Sequence, residues 1–123
     1  MAGSSGSLHE SEAVLKPETI DRHRAVVSIM EELEAVDWYD QRIDAASDSE
    51  LKKILAHNRD EEKEHAAMTL EWLRRHDPKI DQVLRTYLFT EGSVIGIEAA
   101  DTGGNGGTPA PGDGSLGIGS LKR

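Results

Sequence analysis

Glu32, Glu62 and His65 are the residues of this chain whose types and spacing could bind a metal. Glu62 and His65 are three residues apart, so in a helix they lie on one face. Glu32 precedes a polar break near residue 47 by fifteen residues, and Glu62 follows it by fifteen. If two helices fold back there, both carboxylates stand about 22 Å from the turn. Carboxylate and imidazole together are ligands suited to iron, manganese or zinc.

This ligand set is half of a di-iron carboxylate centre. Such a centre in a four-helix bundle takes a Glu from each of two helices and a Glu-x-x-His from each of the other two. One chain supplies one of each, so two chains about a two-fold axis would complete the site. Two alternatives stay open: Glu62 and His65 are a solvated pair on a Glu-rich helix, or Glu61, four residues before His65, is the ligand. Glu62 is preferred because it lies squarely on the apolar stripe.

Helices must position these residues. From Pro17 to about Ala46 no Gly or Pro interrupts the chain, and apolar residues recur at three- and four-residue steps. Ser47 and Glu50 have capping-box spacing, which predicts a second helix running to about His76. The short connection predicts an antiparallel hairpin.

A shorter third helix is expected from Pro78 to near Gly92, after which the composition changes. The sequence therefore predicts an all-α fold, in which a two-helix hairpin and a short third helix dimerise into a four-helix bundle. The expected segments are a flexible leader (1–15), the helical domain (16–100), a Gly/Pro-rich linker (101–114) and a terminal peptide (115–123).

The composition restricts the partners. The formal net charge of −9 argues against nucleic acid and against an anionic membrane surface, and it suits metal cations. The chain has no cysteine, so disulfides, thiolate metal sites and thiol nucleophiles are excluded. No apolar run approaches a membrane span, and the N-terminus lacks a secretory signal pattern, so a cytoplasmic location is expected.

A second acidic group precedes the candidate site. Glu31, Glu34 and Trp38 form a stripe about 100° from Glu32 around the first helix, where paired acids beside an aromatic ring could attract incoming cations. The alternative is a solvated acidic face with one contact tryptophan. Tyr39 lies on the same flank as Glu32 and could donate a hydrogen bond or an electron there, or it simply packs.

The chain ends on apolar residues after the flexible linker. Leu116, Ile118 and Leu121 alternate with glycine and serine in SLGIGSL. Such residues could fill small apolar pockets on a partner, with the glycines allowing an extended backbone to lie close. The alternative is a frayed terminus.

Three segments and the terminal peptide resemble a known family. EELEAVDWYDQR within Val26–Arg42, HNRDEEKEHAAMTLEWLRR at His57–Arg75 and RTYLFTEG at Arg85–Gly92 are similar to the encapsulated ferritins. The terminal SLGIGSL resembles the peptide by which cargo proteins dock inside encapsulin shells. The resemblance covers nearly the whole chain from about residue 17.

The resemblance implies a function and an assembly. Each chain would be half a ferritin, and two chains would bind two irons through Glu32, Glu62 and His65, with Tyr39 beside them. Glu31 and Glu34 would form an outer site for calcium or another divalent cation, with Trp38 near the route that iron follows. The expected assembly is a ring, typically a decamer of five dimers, that oxidises Fe(II) with O₂ and leaves iron storage to the surrounding encapsulin shell. The competing hypothesis is a non-enzymatic helical cargo or scaffold protein.

Overall fold

A computed structural model describes residues 6–103, and every element within them is helical. Four α-helices follow a short 3-10 turn at Glu12–Val14. The helices are α1 (Pro17–Ala45), α2 (Ser49–Arg75), α3 (Pro78–Tyr87) and α4 (Val94–Gly103). The all-α prediction is confirmed.

The first helix begins and ends close to where the sequence predicts. Pro17 occupies the first helical turn, where its missing N–H removes no helical hydrogen bond. Glu18 follows in the same turn, near the positive end of the helix dipole. The helix then runs unbroken to Ala45, which is one residue short of the predicted end.

The cap of α2 differs from the prediction. Asp48, not Ser47, caps the helix: its Oδ2 accepts a hydrogen bond from the backbone N–H of Leu51 at 2.8 Å. Ser47 lies one residue too early, because the helix begins at Ser49. An ionised carboxylate at this place also interacts favourably with the helix dipole, which a hydroxyl cannot do as strongly.

Helices α1 and α2 pack against each other as a hairpin with a thin core. The only residues more than nine-tenths buried within the described part of the chain are Ala25, Ala66 and Leu73. Arg59 of α2 donates to Asp40 of α1 at 2.9 Å, which links the two helices across the pair. So little buried apolar surface is unusual for a stable domain and indicates that a single chain gains by associating.

The described residues divide into two compact units, one ending at Asp81 and the other beginning at Gln82. In the first, Asp77 caps α3, since its Oδ1 accepts from the N–H groups of Lys79 at 3.1 Å and Ile80 at 3.0 Å.

In the second unit α3 ends at Tyr87, and α4 was not predicted. Phe89 and Gly92 have positive φ angles of 61° and 87°, and the chain then re-enters a helix. Ser93 starts α4 by accepting from the N–H of Gly96 at 2.9 Å. The interior glycine had weakened the helix signal.

Candidate metal centre

Glu32 occupies the face of α1 that packs towards α2. Ala25 and Val36, which are seven residues before it and four after it, share this face by helical geometry and are at least half-buried. The Glu32 side chain is half-buried, and its Oε1 atom is buried without a hydrogen-bond partner among residues 6–103. A buried carboxylate oxygen without a donor is costly unless a cation approaches it. This oxygen is therefore suited to a metal ligand.

Glu62 and His65 lie side by side on α2, as their spacing predicts. Nδ1 of His65 lies 3.7 Å from Oε1 of Glu62, which is too long for a hydrogen bond. The Glu62 side chain is 30% exposed and the His65 side chain 50% exposed. Glu62 therefore points more towards the hairpin interior, while His65 lies at its edge, where a second chain could reach it.

The described residues of one chain do not form a complete metal centre. Within residues 6–103, no three His, Cys, Asp or Glu side chains are close enough together to hold a metal ion. Glu62 and His65 are adjacent, whereas Glu32 comes from the other helix. Completion of the site by a second chain stays a prediction.

Glu61, the competing ligand, is engaged elsewhere. Its Oε2 lies 3.3 Å from Nε2 of His57, on an exposed part of α2. The carboxylate next to His65 is therefore that of Glu62, and Glu61 pairs with His57 instead. The four-residue spacing between His57 and Glu61 is a pairing distance on a helix, and it was the available sequence signal for this contact.

The outer acids and the two aromatic residues of α1 differ in how far they are buried. Glu31, Glu34 and Trp38 are exposed on α1, whereas Tyr39 is half-buried. Arg42, which sequence reasoning missed, places its guanidinium 5.9 Å from the Trp38 ring and 5.6 Å from the Tyr39 ring.

A guanidinium at these distances makes a cation–π contact with an aromatic ring. The spacings of four and three residues from Trp38 and Tyr39 were the available signal for Arg42. Its positive charge therefore lies near both the exposed Trp38 and the half-buried Tyr39.

Arginines organise the remaining acids of the hairpin. The hydrogen bonds that Arg59 donates to Asp40 and then to Asp60 raise the pKa of Arg59, and the same guanidinium lowers the pKa of Asp60. Nearer the end of α2, hydrogen bonds from Arg74 and then Arg75 lower the pKa of Glu71 to about 2. These acids are paired with arginine, so they are poor candidates for metal ligands.

Arg74 also joins α2 to α3. It donates to both carboxylate oxygens of Glu71 at 2.8 Å and, on its other side, to Asp81. Two parallel N–H···O bonds fix the guanidinium plane, which a single bond would not.

Two features bear on location and partners. None of the helices in the described part of the chain combines the length and apolar content of a membrane span. The expected docking residues Leu116, Ile118 and Leu121 lie outside the described residues, as does the linker from residue 104 onwards.

The chain is similar to several characterised sequences. The sequence model of the EncFtn-like family matches residues 7–91. The "Encapsulated ferritin-like protein" of Rhodospirillum rubrum is 70% identical over 129 residues, covering 99% of this chain and 92% of that protein. The "Encapsulin nanocompartment cargo protein EncC" of Myxococcus xanthus is 37% identical over 107 residues, covering 79% of this chain and 81% of its own.

A solved structure agrees with these sequences. The crystal structure of protein ne0167 from Nitrosomonas europaea superimposes with a TM-score of 0.69 at 60% identity, covering 71% of this chain and 96% of its own. The helical fold, the extent of the family match and the identity to full-length relatives agree, and the chain belongs to the EncFtn-like family.

Proposed function

We propose that this protein is a ferroxidase, which oxidises Fe(II) to Fe(III) with O₂ at a site shared by two chains. The observation that carries the proposal is the buried Oε1 of Glu32, for which the described part of the chain supplies no hydrogen-bond partner. Iron is the substrate, and carboxylate oxygens suit both of its oxidation states.

Each residue has a separate role in this proposal. Glu62 bridges the two irons, His65 gives a terminal nitrogen ligand, and Glu32 supplies the ligand from α1. Tyr39, half-buried beside this face, donates a hydrogen bond or an electron. The exposed Glu31 and Glu34 concentrate iron or another divalent cation, calcium included, before it reaches the site, because exposed acids raise the local cation concentration.

Sharing the site between chains agrees with the exposed surface of the hairpin. Val26, Met30 and Leu33, at i, i+4 and i+7 on α1, are 41%, 42% and 53% exposed. Ile54 and Met68 of α2 are 49% and 64% exposed. An apolar surface of this extent on a chain with so small a core favours self-association. We propose a homodimer that assembles into a ring such as a decamer.

The names of two relatives support a place in a nanocompartment. One is called encapsulated and another an encapsulin cargo protein. We propose that Leu116, Ile118 and Leu121 dock on the inner surface of an encapsulin shell, inside the cytoplasm, where the released Fe(III) is mineralised and stored. Deleting residues 115–123 should leave iron oxidation unchanged and abolish recovery with the shell. Loss of oxidation on this deletion would contradict a tether.

The function is tested by aerobic Fe(II) oxidation with purified protein. Glu32→Ala, Glu62→Ala and His65→Ala should each lower the rate of Fe(III) formation at least tenfold. Glu64→Ala, an exposed acid on α2, is the matched control and should oxidise iron at the parent rate. If all three site variants oxidise iron like the parent, the site assignment is wrong.

The same variants distinguish a ferroxidase from a helical scaffold protein without catalytic activity. The absence of a three-ligand cluster among the described residues of one chain agrees with a scaffold as well as with half a site. A scaffold would bind no iron tightly as isolated, and its assembly would not depend on Glu62 or His65. Iron bound to the parent and lost from Glu62→Ala would exclude it.

A further inference from the structure

The guanidinium of Arg42 lies against two aromatic rings at the end of α1. Its central carbon is 5.9 Å from the centre of the Trp38 ring and 5.6 Å from the centre of the Tyr39 ring. Spacings of four and three residues place the three side chains on neighbouring parts of one helix surface. The last helical turn also suits a cation, because the helix dipole is negative at that end. Local geometry therefore holds a positive charge beside both rings.

The acids nearest to Arg42 in sequence on this part of α1 are engaged elsewhere. Asp40 accepts a hydrogen bond from Arg59 at 2.9 Å, and Asp37 accepts one from Gln41 at 3.2 Å. Within the part of the chain that the structure describes, no carboxylate forms an ion pair with Arg42, whereas four other arginines have such a pair: Arg24, Arg59, Arg74 and Arg75. The rings, and not an acid, are therefore the groups on which this charge acts.

A positive charge beside an aromatic ring opposes the loss of an electron from that ring. The cation–π attraction comes from the electron density on the ring face, so it weakens when an electron leaves. Tyr39 is half-buried and Trp38 is exposed, so water screens the charge of Arg42 less at Tyr39. The contact therefore disfavours one-electron oxidation of Tyr39, and it leaves the phenol O–H able to donate a hydrogen bond.

We propose that Arg42 is a positioning residue that suppresses electron transfer from Tyr39 and restricts Tyr39 to donating a hydrogen bond. The inference rests on the proposed ferroxidase function, in which Tyr39 has two alternative roles, as donor of a hydrogen bond or of an electron. Two Fe(II) ions then give one electron each to O₂, which takes up two protons and leaves as hydrogen peroxide. Tyr39 contributes no electron to this balance.

The first test measures one-electron oxidation of Tyr39 in the full chain without metal. Azide radicals generated by radiolysis oxidise phenols, and the radical is neutral, so its approach does not depend on the charge at position 42. Each event transfers one electron from tyrosine to the radical, which becomes azide anion, and releases the phenol proton to water. Peptide mapping by mass spectrometry follows the loss of unmodified Tyr39 relative to Tyr87 of α3, the internal reference.

Three substitutions separate the charge of Arg42 from its bulk. Arg42→Met keeps a long side chain that can cover the rings but removes the charge, so the ratio of Tyr39 to Tyr87 oxidation should rise about threefold. Arg42→Lys keeps the charge and should restore the parent ratio. Arg24→Met removes a positive charge from an exposed position on α1, at a distance from the rings, and should leave the ratio unchanged.

The second test looks for a tyrosyl radical during iron oxidation. Fe(II) is added in air to the parent and to Arg42→Met, and samples frozen during the reaction are examined by electron paramagnetic resonance. The parent should give no tyrosyl signal, and Arg42→Met should give one that disappears when Tyr39→Phe is added to it. A parent chain that oxidises no iron would refute the ferroxidase proposal, and the test without metal would still decide the effect of Arg42 on Tyr39.

Three results would overturn the proposal. In the first, Arg42→Met has the same ratio of Tyr39 to Tyr87 oxidation as the parent, which would mean that the bulk of the side chain is sufficient. In the second, Arg42→Lys or Arg24→Met raises the ratio as much as Arg42→Met does, so that a charge beside the rings is not the cause. In the third, the parent itself accumulates a tyrosyl radical at Tyr39 as it oxidises iron.

Discussion

Replacing Glu32 by methionine should stabilise the metal-free protein and abolish its response to iron. The buried Oε1 of Glu32 has no donor, so the folded chain loses hydration at that atom and gains no hydrogen bond in exchange. Methionine has a similar length, fills the same space and carries no polar oxygen. At functional sites, residues that bind a ligand are commonly present even though they lower the stability of the fold.

The structure sets the magnitude. An unsatisfied buried polar group costs about 1–3 kcal/mol. The lower end applies here, because Glu32 as a whole is only half-buried and its other oxygen can stay hydrated. We expect Glu32→Met to raise the free energy of unfolding by about 1 kcal/mol. For a domain of this size that corresponds to about 4–8 °C in melting temperature.

The assay is urea unfolding in EDTA, at one protein concentration because association affects stability. Glu31→Met, an exposed acid one residue earlier, is the control and should shift stability by less than about 0.5 kcal/mol. Adding Fe(II) without oxygen should stabilise the parent and leave Glu32→Met unchanged. If Glu32→Met is instead less stable than the parent in EDTA, the carboxylate has a partner and the reasoning is refuted.

Three further substitutions test how the hairpin positions the site. Asp48→Ala should lower the free energy of unfolding by about 1 kcal/mol because the cap of α2 is lost, and an unchanged urea midpoint would contradict the cap. Arg59→Met removes the contact with Asp40 and should lower the urea midpoint only slightly, because exposed ion pairs contribute little, and Asp40→Asn should have the same small effect. Glu71 has its pKa lowered to about 2, chiefly by Arg74, so its ion pairs stabilise the fold above about pH 4.5 and are lost as the pH falls towards 2. Glu71→Gln should reduce the slope of the unfolding free energy against pH in that window. A slope equal to the parent's would refute the pairing.

The sequence predicted the hairpin because its signals are local. A stretch without Gly or Pro, a proline at Pro17 and an aspartate before Pro78 each identify a helix end by a known mechanism. The prediction from the capping-box spacing of Ser47 and Glu50 was wrong because Asp48 is also of a residue type that caps helices, and the order in sequence does not say where the first turn closes.

The helix after Ser93 was missed for a similar reason. A glycine inside the segment weakens the local preference, and only the folded chain decides the outcome. Sequence spacing placed Glu62 and His65 on one face correctly, since that follows from helix geometry alone.

Other features of the site depend on side-chain conformation, which spacing does not determine. Two contacts are examples: Arg42 lies over Trp38 and Tyr39, and His57 pairs with Glu61. Each forms only when the side chains adopt particular rotamers, in addition to having the right spacing. Completion of the centre by a second copy stays a prediction, because the distances within one chain do not test it.

The central claim is that two chains share one pair of irons. Anaerobic titration with Fe(II), followed by native mass spectrometry, counts iron in each oligomeric species. The account predicts two irons per pair of chains, no iron on single chains, and growth of the paired species as iron is added. One iron bound independently to each monomer, with no change in oligomeric state, would contradict it.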